Sequence, residues 1–77
     1  MISVIFTSDD QNIHFSVICK ITEKFNRLEE KLYNEYPEFS KTNNYFVVNG
    51  NRIEKFKNLE ENNIHNSDII ILNQINK

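Results

Sequence analysis

The sequence predicts an α+β domain of two layers: a mixed sheet of four to five strands with one helix packed on one face. Three observations carry this reading. Apolar residues recur with period two over residues 2–7 and 13–18, then three and four apart at Phe25, Leu28 and Leu32, then as continuous runs at 45–48 and 69–72. Period two marks a strand, and the three-four spacing marks one face of a helix. The resulting order is hairpin, helix, strand, short strand, small turn, strand. A helix laid across one face is the natural two-layer solution for that order, and it covers only one side of the sheet.

The first element is a hairpin. Ile2, Val4 and Phe6 alternate with Ser3, Ile5 and Thr7, and Ile13, Phe15 and Val17 alternate with His14, Ser16 and Ile18, with SDDQN as a polar turn between the runs. This puts Ile2, Val4, Phe6, Ile13, Phe15 and Val17 on the inner face. The register is open by one residue, and a slip would exchange Ile5 with Val4 as the exposed side chain.

The helix follows from Thr22, whose hydroxyl suits an N-cap, with Glu23 placed favourably at the positive end of the helix dipole. Pro37 forces the helix to end near Asn34 or Glu35, because the residue before a proline is pushed out of the helical region. The linker PEFSKTNN is too polar to be buried except at Phe39.

The stretch YFVVNGNRI, residues 45–53, supplies a strand, an Asn-Gly turn and a short strand at Arg52 and Ile53. Asn49 and Gly50 both tolerate the positive φ that a type I′ hairpin demands. NLEEN has room for one helical turn capped by Asn58 and anchored by Leu59, with Ile64 following. Ile69, Ile70 and Ile71 with Leu72 form a continuous apolar run, β-branched over its first three residues, expected of a central strand.

Composition bounds the function. A chain of 77 residues is one domain that buries about 60–65% of the surface its unfolded form exposes. The composition, 39% hydrophobic and 26% charged, supports a single core and is too apolar for a disordered chain. A net charge of −2 gives no reason to expect nucleic acid or an anionic membrane as partner. No apolar run approaches the ~20 residues a bilayer span requires, and the start lacks the charge of a signal peptide. With Cys19 the single cysteine, an intracellular, reducing compartment is expected.

From residue 45 onward the chain resembles ubiquitin and aligns with it without a gap, through YFVVNGNRI, NLEENNI and SDIIILN. The first half is similar too, with the same hairpin, helix spacing and length. The resemblance rests on the register of Phe46, Val48, Gly50, Ile53, Leu59, Ile64, Ile70 and Leu72 matching core or turn positions. It implies one ubiquitin-like β-grasp domain over residues 1–77. Conjugated members of that superfamily end in Gly-Gly, whereas here the end reads LNQINK and no glycine follows Gly50, so a non-conjugating type is expected. The two lysines through which ubiquitin chains most often grow correspond to Asn51 and Asn66, which speaks against a chain-building role.

The resemblance also implies a docking surface on the sheet face opposite the helix. The outward positions by period are Ile5 on the first strand, Tyr45 and Val47 on the third, and Ile69, Ile71 and Asn73 on the last. In the β-grasp order these strands are adjacent, with the last one central. Four apolar residues in a row at 45–48 break the alternation of a strand with one face in water, and a docking surface would explain it. Against ubiquitin the match is partial: Val47 falls on the patch isoleucine, but a polar residue of SDDQ replaces the patch leucine, Ile71 the histidine and Asn73 the valine. A specificity of its own is therefore expected. The plain alternative is permanent cover of these residues by a loop, an extension or a dimer mate, since large exposed apolar patches are uncommon on monomers.

Other candidate sites carry less. His14 and Cys19, read as both facing outward, would lie about 16 Å apart along the strand, too far to act as base and nucleophile. Nothing electropositive surrounds Cys19 beyond Lys20, and His14 and His65 lack a second ligand at zinc spacing. Lys20, Lys24, Arg27 and Lys31 share one side of the helix and read as a solvated face with a Glu23 to Arg27 pair. The expectation is an adaptor binding a protein partner, of the ubiquitin system or of a larger assembly, with no cofactor, small-molecule substrate or enzymatic chemistry. A permanent subunit of an assembly is the second reading. A small-GTPase-binding β-grasp domain is the third, ranked lower because such domains present basic residues on the first hairpin, where this chain has Asp9 and Asp10.

Overall fold

The computed structural model of the chain describes residues 1–75, so the last two residues of the LNQINK end lie outside the described residues. Its elements are β1 (Ile2–Ser8), β2 (His14–Cys19), α1 (Phe25–Glu35), a 3₁₀ turn (Pro37–Lys41), β3 (Asn44–Val48), β4 (Asn51–Arg52) and β5 (Ile69–Gln74). They form one five-stranded sheet in the order β2-β1-β5-β3-β4. β1 and β5 run parallel, while the other neighbours are antiparallel. β5 is hydrogen-bonded on both edges, to β1 and β3, yet only its inward residues Ile70 and Leu72 are buried, so its apolar run is covered on one face and not on both.

The first hairpin settles in the register that exposes Ile5. Val4 stands opposite Val17 and Phe6 opposite Phe15, with Val4 and Phe6 fully buried. Its turn is held by Asp10, whose carboxylate accepts the Ser8 hydroxyl at 2.6 Å, the Asn12 amide at 3.1 Å and the Asn12 side chain at 2.9 Å. These donors, the Ser8 hydroxyl first, hold the Asp10 carboxyl below the ordinary carboxylate range. Cys19 does not face outward. It sits on the same side as Phe15 and Val17, is 2% exposed, and stands opposite Ile2. The spacing from His14 to Cys19 is odd, so a period of two puts them on opposite faces. Burial pushes the Cys19 thiol up, which makes it inert rather than reactive.

α1 begins later than Thr22 suggests. Its N-cap is Lys24, which makes no side-chain capping bond. The free amides of the first turn are taken by another segment: Phe25 donates to the Lys57 carbonyl and Asn26 to the Lys55 carbonyl, both at 3.0 Å. The Leu59 and Glu60 amides in turn donate to the carbonyls of Glu23 and Ile21, each at 3.0 Å. Residues 21–26 and 55–60 thus cap each other, which replaces the side-chain cap. Glu23 consequently reaches Lys31 at 3.9 Å and accepts the Lys20 amide at 3.2 Å instead of pairing with Arg27.

One core lies between α1 and the inner face of the sheet. At its centre Phe25, Phe46 and Phe6 pack in tilted and edge-on contacts, with ring centroids 5.1 to 5.9 Å apart. Such pairs contribute about 0.5–1.5 kcal/mol each beyond area burial. The linker after α1 is less peripheral than its polarity suggests. Phe39 is buried as expected, but so is Asn44, at 8% exposure. Its side-chain amide donates to the Tyr33 hydroxyl and the Phe39 carbonyl, both at 2.8 Å, and its oxygen accepts the Thr42 hydroxyl at 2.6 Å. Tyr33 passes its own proton toward Glu29 at 2.7 Å, and Lys55 closes the circuit at 2.8 Å from Glu29 and 3.0 Å from the Asn44 carbonyl. Burial, with the Glu29 bond adding to it, raises the Tyr33 phenol well above its ordinary value. A polar group can be buried when its bonding atoms are satisfied, and here they are.

NLEENNI forms a single helical turn with both ends sealed. Asn58 Oδ1 accepts the Glu61 amide at 2.7 Å while Glu61 returns a carboxylate to the Asn58 amide at 2.9 Å, a reciprocal capping box. At the other end Asn63 has φ 56°. Ile64 donates to the Leu59 carbonyl and Asn63 to the Glu60 carbonyl, both at 3.0 Å, with Leu59 and Ile64 both buried. That is the bonding of a Schellman motif with its hydrophobic contact.

Candidate protein-docking face

The face of the sheet away from α1 is assembled from strand registers. Ile5 on β1 stands opposite Ile69 on β5, Ile71 opposite Val47 on β3, and Tyr45 opposite Asn73. All six residues expected on the outer face therefore share it, and none belongs to the core. Ile69 is 54% exposed, and the other five are half-buried. Side chains on neighbouring strands of one face stand about 4.5–5.5 Å apart, so these residues shade one another even with no element above them.

Two residues join the face that the sequence reading left out of the patch. Ile18 on β2 is opposite Ser3, diagonal to Ile5, and 67% exposed. It extends the apolar surface toward the β2 edge. Arg52 on β4 is opposite Val47, and its guanidinium lies 4.6 Å from the centre of the Tyr45 ring. A cation held over an aromatic face gains about 0.5–1 kcal/mol at an exposed site and loses mobility. Both were readable. Ile18 continues the outward series His14, Ser16, and a two-residue Asn-Gly loop places the second residue after it across from Val47.

That loop sets the geometry of the outer edge. Asn49 has φ 52° and Gly50 φ 80°, the two left-handed residues of a type I′ turn, with Val48 paired to Asn51. The Ile53 amide, 2.8 Å from the Phe46 carbonyl, continues the pairing past β4. Beside the loop, just before β5 begins, Asp68 accepts the His65 amide at 2.8 Å, and the Asn49 side-chain nitrogen lies 3.5 Å from it. Across the face Arg52 is the one permanent charge among the side chains that the registers place there, and none of them is acidic.

A solved structure of a protein designed on the basis of ubiquitin superposes on this chain with a TM-score of 0.82, over 99% of this chain and 90% of that one, at 21% sequence identity. The chain has the ubiquitin-like β-grasp fold. At that identity the likeness speaks to architecture, and the strand order of this β-grasp sheet, with its last strand central beside the first, agrees with it. No family profile and no curated protein matches the sequence. Among the described residues no helix of this β-grasp chain is long and apolar enough to cross a membrane, and no group of three metal-binding side chains comes together.

Proposed function

We propose that this chain is a ubiquitin-like interaction module of the non-conjugated type, an adaptor inside the cell that binds a protein partner through the outer face of its sheet and performs no chemistry. One observation carries the reading. Ile5, Ile69, Ile71, Val47 and Tyr45 form a continuous apolar surface on three adjacent strands, on the side of the sheet that α1 leaves uncovered. A partner that buries this surface gains from its apolar area, at roughly 25 cal/mol per Å² before the costs of association. Arg52, presented over Tyr45 at the rim, favours a partner with an acidic group at that edge, and Asn73 offers a polar contact at the far side.

Permanent burial in an assembly is the second reading, favoured by Ile18, which widens the apolar surface beyond a small patch. The test is a pull-down from the native cell with the 77-residue chain beside a Val47→Glu, Ile71→Glu double variant that circular dichroism shows to be folded. Partners held by the parent chain and lost by the variant support the outer face as the working surface. An identical partner set moves the function to the helix face or the termini. Insolubility of the isolated chain, relieved only by co-expression with a captured partner, favours the permanent subunit.

A further inference from the structure

The turn that closes β3 onto β4 holds the sole glycine of the chain, and so its sole Asn-Gly pair among thirteen asparagines. Glycine has no side chain to shield its amide nitrogen, so an asparagine before it is the one whose side chain that nitrogen attacks most readily. We propose that Asn49 is a deamidation site gated by opening of the β3–β4 hairpin, and that its isoaspartate product detaches β4 from the sheet.

The chemistry needs only water. The Gly50 nitrogen gives up its proton to solvent and bonds to the Asn49 side-chain carbonyl carbon. The bond from that carbon to Nδ2 breaks, and Nδ2 leaves with a solvent proton as ammonia. Water then opens the five-membered imide at either carbonyl. One opening yields aspartate. The other yields isoaspartate, whose main chain runs through the former side chain and is longer by one carbon. No atom changes oxidation state overall, and one water is exchanged for one ammonia.

The folded turn opposes the first step. Asn49 at φ 52° sits in the left-handed region, where ψ is near about +47°. At that ψ the Gly50 nitrogen lies almost anti to the Asn49 Cβ across the Cα–C bond, pointing away from the carbon it must reach. Bringing the two together requires rotation about that bond, which breaks the pairing of Val48 with Asn51. The reaction therefore proceeds through the opened hairpin, and its rate reports the population of that state.

The products do not fit the closed turn. Aspartate places a second carboxylate where the Asn49 nitrogen now lies 3.5 Å from Asp68 Oδ2, and like charges repel. Isoaspartate adds an atom to a two-residue loop whose length sets Val47 opposite Arg52. Arg52 then leaves the Tyr45 ring, and the Ile53 amide loses its 2.8 Å bond to the Phe46 carbonyl.

The test incubates the whole chain in mildly alkaline buffer with and without denaturing guanidinium, followed by peptide mapping that separates aspartate from isoaspartate. In denaturant Asn49 is expected to convert faster than any other asparagine, and in the folded chain at least about tenfold more slowly. Equal rates in the two states, or conversion spread over the other asparagines, overturns the proposal. The isoaspartate form, separated from the parent chain by its added negative charge and from the isomeric aspartate form by reversed-phase chromatography, then returned to native buffer, is expected to lose hydrogen-exchange protection at Ile53 while Phe6 keeps it. Retained protection at Ile53 overturns the claim that β4 detaches.

Discussion

Asn44 shows how a polar residue enters a core this small. Its side chain bonds Tyr33, Phe39 and Thr42, and its carbonyl takes Lys55. Removing it takes one bond from each of three groups in a desolvated site: the Tyr33 hydroxyl, which keeps Glu29, and the Phe39 carbonyl and Thr42 hydroxyl, which keep each other. Asn44→Ala is expected to lower unfolding stability by about 1–3 kcal/mol, read from urea midpoints, while the exposed neighbour Asn43 changed to Ala stays within about 0.5 kcal/mol. Equal effects would mean the network carries no stability. Strand parity with Phe46 and Val48 turns Asn44 inward, but the run of polar letters at 37–44 does not show its partner, Tyr33, eleven residues earlier.

At the scale of elements, two short turns hold themselves by side-chain caps. Asp10 has a folded pKa below its ordinary value of 3.8, so the unfolded chain binds more protons near that pH than the folded chain does. Its contribution is complete above the ordinary value and fades as pH falls through the folded one. Stability followed from about pH 5 to about pH 3 is therefore expected to drop less in Asp10→Asn than in the parent chain, once the other carboxylates are common to both. A parallel drop would show that the Asp10 bonds do not matter to folding. Asn58→Ala removes one half of the capping box and is expected to cost about 1 kcal/mol. Because residues 21–26 lean on this segment, amide exchange at Phe25 and Asn26 should accelerate along with that at Glu61. Acceleration at Glu61 alone would show the two segments to be uncoupled.

For the whole molecule, the two faces of the sheet should respond to substitution in opposite ways. Phe46 is fully buried between Phe6 and Phe25, and Phe46→Ala is expected to cost about 3–5 kcal/mol, enough to unfold much of a domain of marginal stability. Val47, the next residue along β3, points the other way, and Val47→Glu is expected to cost no more than about 1–2 kcal/mol in the same urea titration. Comparable losses at both positions would make the outer face part of the folding core and remove the case for docking there.

The element types, the type I′ turn and the faces of β3 and β5 were legible in the sequence, because period two, the three-four spacing and Asn-Gly are local consequences of backbone geometry, whereas the register of the first hairpin and the inward side of Cys19 came from the structure. The sequence also showed the outward set Ile5, Tyr45, Val47, Ile69, Ile71 and Asn73, since each follows from strand parity once the strand order is inferred. The tertiary structure alone decided what depends on residues distant in the chain. The start of α1 moved from Thr22 to Lys24 because carbonyls of Lys55 and Lys57 take its free amides. Asn44, inward by the parity of β3, could be buried because Tyr33 and Phe39 meet it there. Arg52, whose place across from Val47 follows from the turn length, was laid over the Tyr45 ring only by the closed sheet. A periodicity records which way a side chain points, whereas a hydrogen bond or a ring contact needs its partner, and partners are brought together only by the closed sheet.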